Sequence, residues 1–263
     1  MKKVLITGAN SYIGMSFEKY AKENTDFEID TLDMLNPNWR NYDFSKYDTV
    51  FHVAGIAHIK ETKENSHLYY EVNRDLAIET ATIAKAKGVK QFILLSSMSV
   101  YGMITGVITN ETLPNPNNSY GKSKHQAEKE IEKLSNNTFK VCIVRPPMVY
   151  GDGCKGNYQS LVKFANKFPV FPRVNNQRSM ISVQNLSIFV LNLMKTESNG
   201  LFLPQDSEYH CTSKMVKELR NKYGKRMYLS FVLGVLVIMI RPFSVKIKKA
   251  FGNLVYSKQN DNI

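Results

Sequence analysis

Four short apolar runs, KVLITG, TVFHVAG, QFILLSS and FKVCIVRP, are separated by stretches whose apolar residues recur at helical spacing. No other feature constrains the fold as strongly. Runs this apolar are strands buried on both faces, and strands joined through helices must lie parallel with the helices covering the sheet. FEIDTLD adds a further strand; residues up to about Asn24, residues 66–87 and residues 119–135 read as helices, the second ended by Gly88. The expected fold is α/β, a doubly wound parallel sheet. From Gly151 onward the alternation loosens, leaving PVFP, a strand-like RSMISV and a helix near 184–196.

The first strand runs into TGANSYIG, with Gly8, Ser11 and Gly14 around Tyr12 and Ile13. A glycine-rich turn from strand into helix points backbone N–H groups and the positive end of a helix dipole at a pyrophosphate. Alone it is also compatible with a plain tight turn; at the first strand of an alternating chain it reads as a dinucleotide site. Asp33 ends the second strand, 25 residues after Gly8. A carboxylate there suits the ribose hydroxyls of NAD and repels a 2′-phosphate, and a solvated loop aspartate is the alternative. Arg40 is the nearby cation that keeps NADP open. The domain expectation is a dinucleotide-binding domain over 1–150 and a mainly substrate-binding region over 151–263, with about 178–205 returning to the first.

SYGKSK places Tyr120 four positions before Lys124. On a helix those side chains are neighbours, and a cation beside a phenol favours its ionised form. Tyr42 and Lys46 repeat the spacing in a polar connector, and that match is read as chance.

With 263 residues and 43% hydrophobic content, the chain has the composition of a soluble globular protein. The opening MKKVLITGAN breaks its apolar run too soon for a signal peptide, and Cys142, Cys154 and Cys211 form no metal-binding cluster with one another or with a histidine. A cytoplasmic protein without a metal site is expected; His52, His58, His67, His125 and His210 also lack ligand spacing. The net charge of +12 comes without any nucleic-acid-binding signature, so no nucleic-acid partner is expected. MYLSFVLGVLVIMI, residues 227–240, is too short to span a bilayer and is expected to pack into a core. The basic segment after it, with Arg241, Lys246, Lys248, Lys249 and Lys258, reads either as a weak peripheral membrane contact or as a solvated face.

TGANSYIG, HVAG, EVN, LLSSMSVYG, SYGKSK and VRPPMVYG follow one another in the order and approximate spacing of the extended short-chain dehydrogenase/reductases, which the chain resembles over at least residues 4–183. The resemblance implies a Rossmann fold and nucleotide-sugar chemistry at C4. It assigns Ser97, Tyr120 and Lys124 as the catalytic set, with Tyr120 exchanging a proton with a sugar oxygen, Lys124 lowering its pKa and holding the nicotinamide ribose, and Ser97 bonding the same oxygen. Ser96 and Ser99 are weaker stand-ins. It places Ala54 and Gly55 along the adenosine half of NAD, Asn73 behind the active-site loop, and Pro147 to Val149 beside the nicotinamide. Asn157 and Arg178 match positions that hold a UDP diphosphate, and PVFP is placed along the uracil. The Asp-Glu pair of the 4,6-dehydratases is replaced by Met98 and Ser99, which argues against dehydration. Three departures stand out: Ser11 for a glycine, a short connection after Asp33 and a short C-terminal region. RPPMVYGDGCKGNYQSL and NNQRSMISV resemble reductases and epimerases of bacterial surface-polysaccharide synthesis. The expected activity is NAD(P)H-dependent reduction of a UDP-4-keto-6-deoxy-N-acetylhexosamine, with a UDP-sugar C4 epimerase as the alternative and a non-catalytic NAD(P) sensor as a weaker one. A homodimer is compatible with the family's four-helix interfaces.

Overall fold

In the computed structural model, which describes residues 1–57, 59 and 61–258, the chain begins β1 (Lys3–Thr7), α1 (Tyr12–Asn24), β2 (Glu28–Leu32), β3 (Thr49–His52), α2 (Ser66–Tyr70), α3 (Leu76–Ala86), β4 (Gln91–Leu95). It continues through β5 (Gly106–Ile108), α4 (Ser119–Glu132), β6 (Lys140–Val144), β7 (Met148–Tyr150), α5 (Asn157–Lys167), β8 (Val170–Pro172), β9 (Met180–Ser182) and α6 (Val183–Lys195). The last elements are β10 (Gly200–Phe202), α7 (Thr212–Lys222), β11 (Tyr228–Ser230), α8 (Phe231–Ile240), α9 (Val245–Phe251) and β12 (Leu254–Tyr256). Two compact units result: Met1–Gly102 with Pro114–Pro147 and Ser182–Pro204, and Met103–Leu113 with Met148–Ile181 and Gln205–Ile263.

The first unit is built on a six-stranded sheet in the order β10-β6-β4-β3-β1-β2, with every pairing parallel. All residues of β3 and β4 are buried, as the unbroken apolar runs require of strands covered on both faces. One covering layer pairs α1 with α6, and the other brings α3 and α4 together. In the latter, Ala77, Ala81, Ala84 and Ala127 let the helices approach closely over Leu5, Val50, Phe92 and Leu94. Strand order reverses between β1 and β3, so the chain leaves these neighbours in opposite directions and a crevice opens at their carboxyl ends. Thr7 pairs with His52 there, which sets the turn after β1 beside the turn after β3.

The helix expected over 66–87 is interrupted. Between α2 and α3, residues Glu71–Asp75 form a π turn. The wider turn carries Asn73 inward, where it is fully buried.

In the second unit the strands pair only two by two, β7 with β9, β8 with β11 and β12 with β5. Its core gathers Tyr158 and Ala165 of α5, Met215, Val216 and Leu219 of α7, and Phe171, Met180 and Met227. The expectation that 227–240 packs into a core is overturned. Met227 is buried, but Ser230 caps a new helix by accepting from the Leu233 N–H, and along α8 only Gly234 is buried.

Candidate active site

The glycine turn is locked to both strands around it. The Leu32 carbonyl at the end of β2 accepts from Gly8 N and Ala9 N at 2.9 and 3.2 Å. Gly8 has φ +102°, in the left-handed region, and a Cβ there would stand 2.7 Å from the Ala54 nitrogen. The first glycine is thus required twice, by its backbone angle and by the strand neighbour that topology puts against it. A Cβ on Gly14 would meet Ser11 Oγ at 2.6 Å and Val53 at 3.1 Å, so this glycine lets α1 sit tightly on β1 and β3. Ser11 has an extended backbone and caps α1, its Oγ accepting from Gly14 N at 3.1 Å. No positive φ is needed at Ser11, and its hydroxyl is turned to the helix.

Asp33 follows Leu32 directly, so the hydrogen bonds from Gly8 and Ala9 hold it beside the turn. It is exposed, and its Oδ1 accepts from Leu35 N at 2.9 Å. Arg40 is engaged elsewhere: both its Nε and Nη2 donate to the Glu79 carboxylate, at 2.5 and 2.7 Å, and its guanidinium lies over Trp39. These residues fit a dinucleotide: an amide-lined turn at a helix N-terminus, a glycine cradle closed by Ala54, and a carboxylate one strand over. Gly8 to Gly14 would hold the pyrophosphate, and Asp33 the adenosine ribose.

Across the crevice, a Cβ on Gly55 would be 2.8 Å from Asn73 Oδ1 and 3.3 Å from Lys124 Nζ. The missing side chain makes room for both. Asn73 accepts from Ile56 N and donates to the Ile56 carbonyl, each at 2.9 Å, which clamps the loop after β3 as the π turn dictates.

Asn118 begins α4 as its cap, accepting from Gly121 N at 2.8 Å. This start puts Tyr120 and Lys124 one turn apart. The Ser97 hydroxyl lies near enough to the Tyr120 phenol to favour its ionised form. Ser97 also accepts from Ser99 N and donates to Ser99 Oγ, both at 3.1 Å, while Ser96 Oγ is buried and bonds Glu128 instead. Between the two stand-ins, Ser96 is therefore committed to the interior and Ser99 supports Ser97. A residue not anticipated from sequence, Gly121, decides this proximity: a Cβ there would stand 2.7 Å from the Ser99 carbonyl oxygen, so only glycine allows α4 to approach the Ser97 turn.

One electrostatic expectation is corrected. Tyr120 is held above, not below, the usual phenol range; burial is the larger influence, and the nearby Ser97 hydroxyl acts against it. Lys124 Nζ instead donates to the Leu95 carbonyl at 2.9 Å, and burial brings this amine down to about 8 despite the Glu128 charge. From the protein's own groups, then, the phenol is a proton carrier and the lysine a hydrogen-bonding cation poised near neutrality.

Beneath this set lies a buried network that sequence reading missed. Arg145 donates from Nε and Nη2 to the two Glu128 oxygens at 2.9 and 2.8 Å, and from Nη1 to the Tyr101 hydroxyl at 2.9 Å. His125 Nδ1 lies 3.2 Å from Glu128 Oε2. Burial pushes the Glu128 carboxyl up, but bonds from His125, Arg145 and Ser96 outweigh it and hold it below its ordinary range. The available signal was the four-residue step from Lys124 to Glu128 within α4, and nothing local linked that to Arg145.

Tyr42 and Lys46 are not on one helix. Tyr42 stacks on Tyr47 with their hydroxyls 2.6 Å apart, and Lys46 pairs with Asp43. Pro147 closes the first unit, whereas Val149, Asn157 and Arg178 belong to the second. Asn157 is exposed at the start of α5. Arg178 Nη1 donates to the Lys249 and Gly252 carbonyls at 2.9 and 3.2 Å, and PVFP contains β8, paired with β11. His52 is buried at the end of β3, with Nδ1 2.8 Å from Thr7 Oγ1, and burial drives its pKa down to about 3. His58 lies outside the described residues.

Residues 4–168 match the family described as the NAD dependent epimerase/dehydratase family. The chain belongs to this family. It is an NAD(P)-dependent enzyme of epimerase or reductase type. It is 30% identical over 245 residues to a UDP-glucose 4-epimerase of Vibrio cholerae, covering 83% of this chain and 75% of that one. It is 26% identical over 258 residues to the N-acetyl-alpha-D-glucosaminyl-diphospho-ditrans,octacis-undecaprenol 4-epimerase of Escherichia coli O157:H7, covering 89% and 77%. Among solved structures, the fold matches a UDP-glucuronic acid 4-epimerase of Bacillus cereus in complex with NAD at a TM-score of 0.73 and 19% identity, over 95% of this chain and 94% of that one.

Proposed function

We propose that this enzyme acts at C4 of a sugar carried on a diphosphate, that its first activity is C4 epimerisation of a UDP-sugar, and that Ser97, Tyr120 and Lys124 are its catalytic residues. The observation that carries this is the close approach of α4 to the Ser97 turn at Gly121, which sets Tyr120 and Lys124, one helical turn apart, beside Ser97. NAD(P), when bound, supplies the hydride acceptor and donor. Tyr120 acts as base only in its phenolate form, taking the proton of the C4 hydroxyl as the carbonyl forms, and the phenol so made returns that proton when the carbonyl is reduced, while Ser97 steadies the same oxygen. Lys124, a hydrogen-bond donor with a pKa near neutrality, holds the nicotinamide ribose and supports the phenolate that forms transiently. In this reading the first unit carries the dinucleotide through Gly8, Ser11, Tyr12, Ile13, Gly14, Asp33, Ala54, Gly55, Asn73 and Pro147, while Val149 belongs to the second unit. Asn157 and Arg178 of the second unit take the substrate diphosphate.

Epimerisation moves ahead of reduction because two relatives, each matched over more than four-fifths of the chain, are 4-epimerases. Reduction of a UDP-4-keto-6-deoxy sugar stays the second reading, since RPPMVYGDGCKGNYQSL and NNQRSMISV resemble reductases as well as epimerases. Either activity would serve surface-polysaccharide precursor synthesis in the cytoplasm. The deciding experiment incubates purified enzyme with UDP-glucose or UDP-GlcNAc without added cofactor, and separately with a UDP-4-keto-6-deoxy sugar and NADH, with products read by NMR. Appearance of the C4 epimer without added nicotinamide supports the first reading. One-for-one oxidation of NADH with no epimer replaces it with the second. Sedimentation velocity on the same preparation tests the homodimer.

A further inference from the structure

The second unit carries an apolar helix on its surface. A Cβ at Gly234 would stand 2.2 Å from the Arg173 carbonyl oxygen, so α8 rests on the segment after β8 through a glycine and its other side chains stand clear. Phe231 is 70% exposed, Met239 64% and, just beyond the helix, Phe243 89%. Val170 and Tyr228, register partners across β8 and β11, are exposed as well and continue the apolar surface up to the start of α8. Water-soluble surfaces rarely leave so many large apolar side chains together.

Length and charge indicate what covers them. A helix of ten residues is about 15 Å long, half of a hydrocarbon core of about 30 Å, and among the described residues no helix is long and apolar enough to cross a membrane. Such a helix can lie in a bilayer surface and cannot span one. From residue 219 to 260 the chain has nine Lys or Arg and no Asp or Glu. Lys222 and Lys258 reach acids from elsewhere in the unit, Asp152 and Glu208, whereas Lys225, Arg226, Arg241, Lys246, Lys248 and Lys249 have no ion pair among the described residues. Against a second copy of the chain these cations would face one another without acids between them. At the junction of α8 and α9 a cavity of about 390 Å³ is lined by Arg241, Lys248, Thr105 and Asn253. Guanidinium, ammonium and hydroxyl together are suited to a phosphate.

We infer that α8 and α9 dock on a bilayer containing anionic phospholipid, with α8 immersed in the interface and a headgroup phosphate held between Arg241 and Lys248. The inference does not rest on the C4 chemistry, although Arg178 donates to the Lys249 and Gly252 carbonyls beside this surface. The test is flotation of the full chain with vesicles of phosphatidylcholine alone and with phosphatidylglycerol added, at low and high salt. Binding is expected to the phosphatidylglycerol vesicles, weakened by salt. Phe231→Asp with Met239→Asp should abolish it, and Arg241→Gln with Lys248→Gln should weaken it at least about tenfold. All four positions are exposed or half-buried, so thermal unfolding should match the wild type. Failure of the wild type to float overturns the inference. So does flotation that the Asp pair leaves intact, or equal binding to both vesicles at either salt. A lipid-insensitive dimer that the Asp pair dissociates also overturns it and makes a second copy the occupant.

Discussion

Gly121→Ala tests whether the proximity of Tyr120 to Ser97 depends on a single absent methyl group. The added Cβ would lie 2.7 Å from the Ser99 carbonyl oxygen and 3.0 Å from Pro116 Cβ, and the first neighbour is backbone that cannot swing aside. Two effects oppose each other. Alanine in the first turn of α4 gains up to about 1 kcal/mol in helix propensity over glycine. Overpacking against a fixed wall costs about 1–3 kcal/mol, so the net is a loss of about 0–3 kcal/mol, read as a fall in Tm. Activity should suffer more than stability. Restoring ordinary van der Waals contact needs a separation of at least 3.4 Å, so α4 and the Ser97 turn must part by about 0.7 Å at the residue next to Tyr120. Misplacement on the order of 1 Å costs about a hundredfold in rate, which sets the expected fall in kcat at about ten- to a hundredfold with little change in KM. Steady-state kinetics with whichever UDP-sugar the NMR assay shows to be turned over, together with thermal unfolding, provide the readout. Lys122→Ala, exposed on the same turn, is the control and should change neither. Wild-type kcat in Gly121→Ala would refute the reasoning, because the contact would then be relieved without moving the catalytic pair.

Tyr120→Phe should lower turnover by about two to four orders of magnitude with cofactor binding retained, and Tyr42→Phe should leave it unchanged; steady-state rates and nicotinamide titration check both. NADH should bind more tightly than NADPH because Asp33 is held at the turn while Arg40 is paired to Glu79, and Asp33→Ser should narrow the difference in a fluorescence titration. Glu128→Gln should destabilise by about 3–5 kcal/mol near neutral pH, since it leaves the Arg145 guanidinium buried without its partner charge. Because the Glu128 carboxyl is held below its unfolded range, its contribution is present above the unfolded pKa and is lost as pH falls through the folded one. Unfolding curves of wild type and variant should therefore converge under acid and stay apart at pH 7; a pH-independent gap would count against the charge pair.

Much of the first unit was legible because its signals are local. An apolar run of four or five residues bounded by a glycine states its own burial, and TGANSYIG states its own turn, so the sheet and the nucleotide turn could be read without tertiary knowledge. The spacing of Tyr120 and Lys124 was equally local, but its duplicate at Tyr42 and Lys46 showed that spacing acquires meaning only on a helix. What the sequence could not determine was everything that depends on which segments become neighbours. The β1/β3 reversal sets Ala54 against Gly8. A π turn buries Asn73, a distant Arg145 completes Glu128, and the direction of the Tyr120 pKa follows from burial that no spacing reports. The run at 227–240 shows the same limit from the other side. Apolar composition favours taking these residues out of water, but whether a core receives them depends on packing, and packing left α8 outside the core with only a glycine buried.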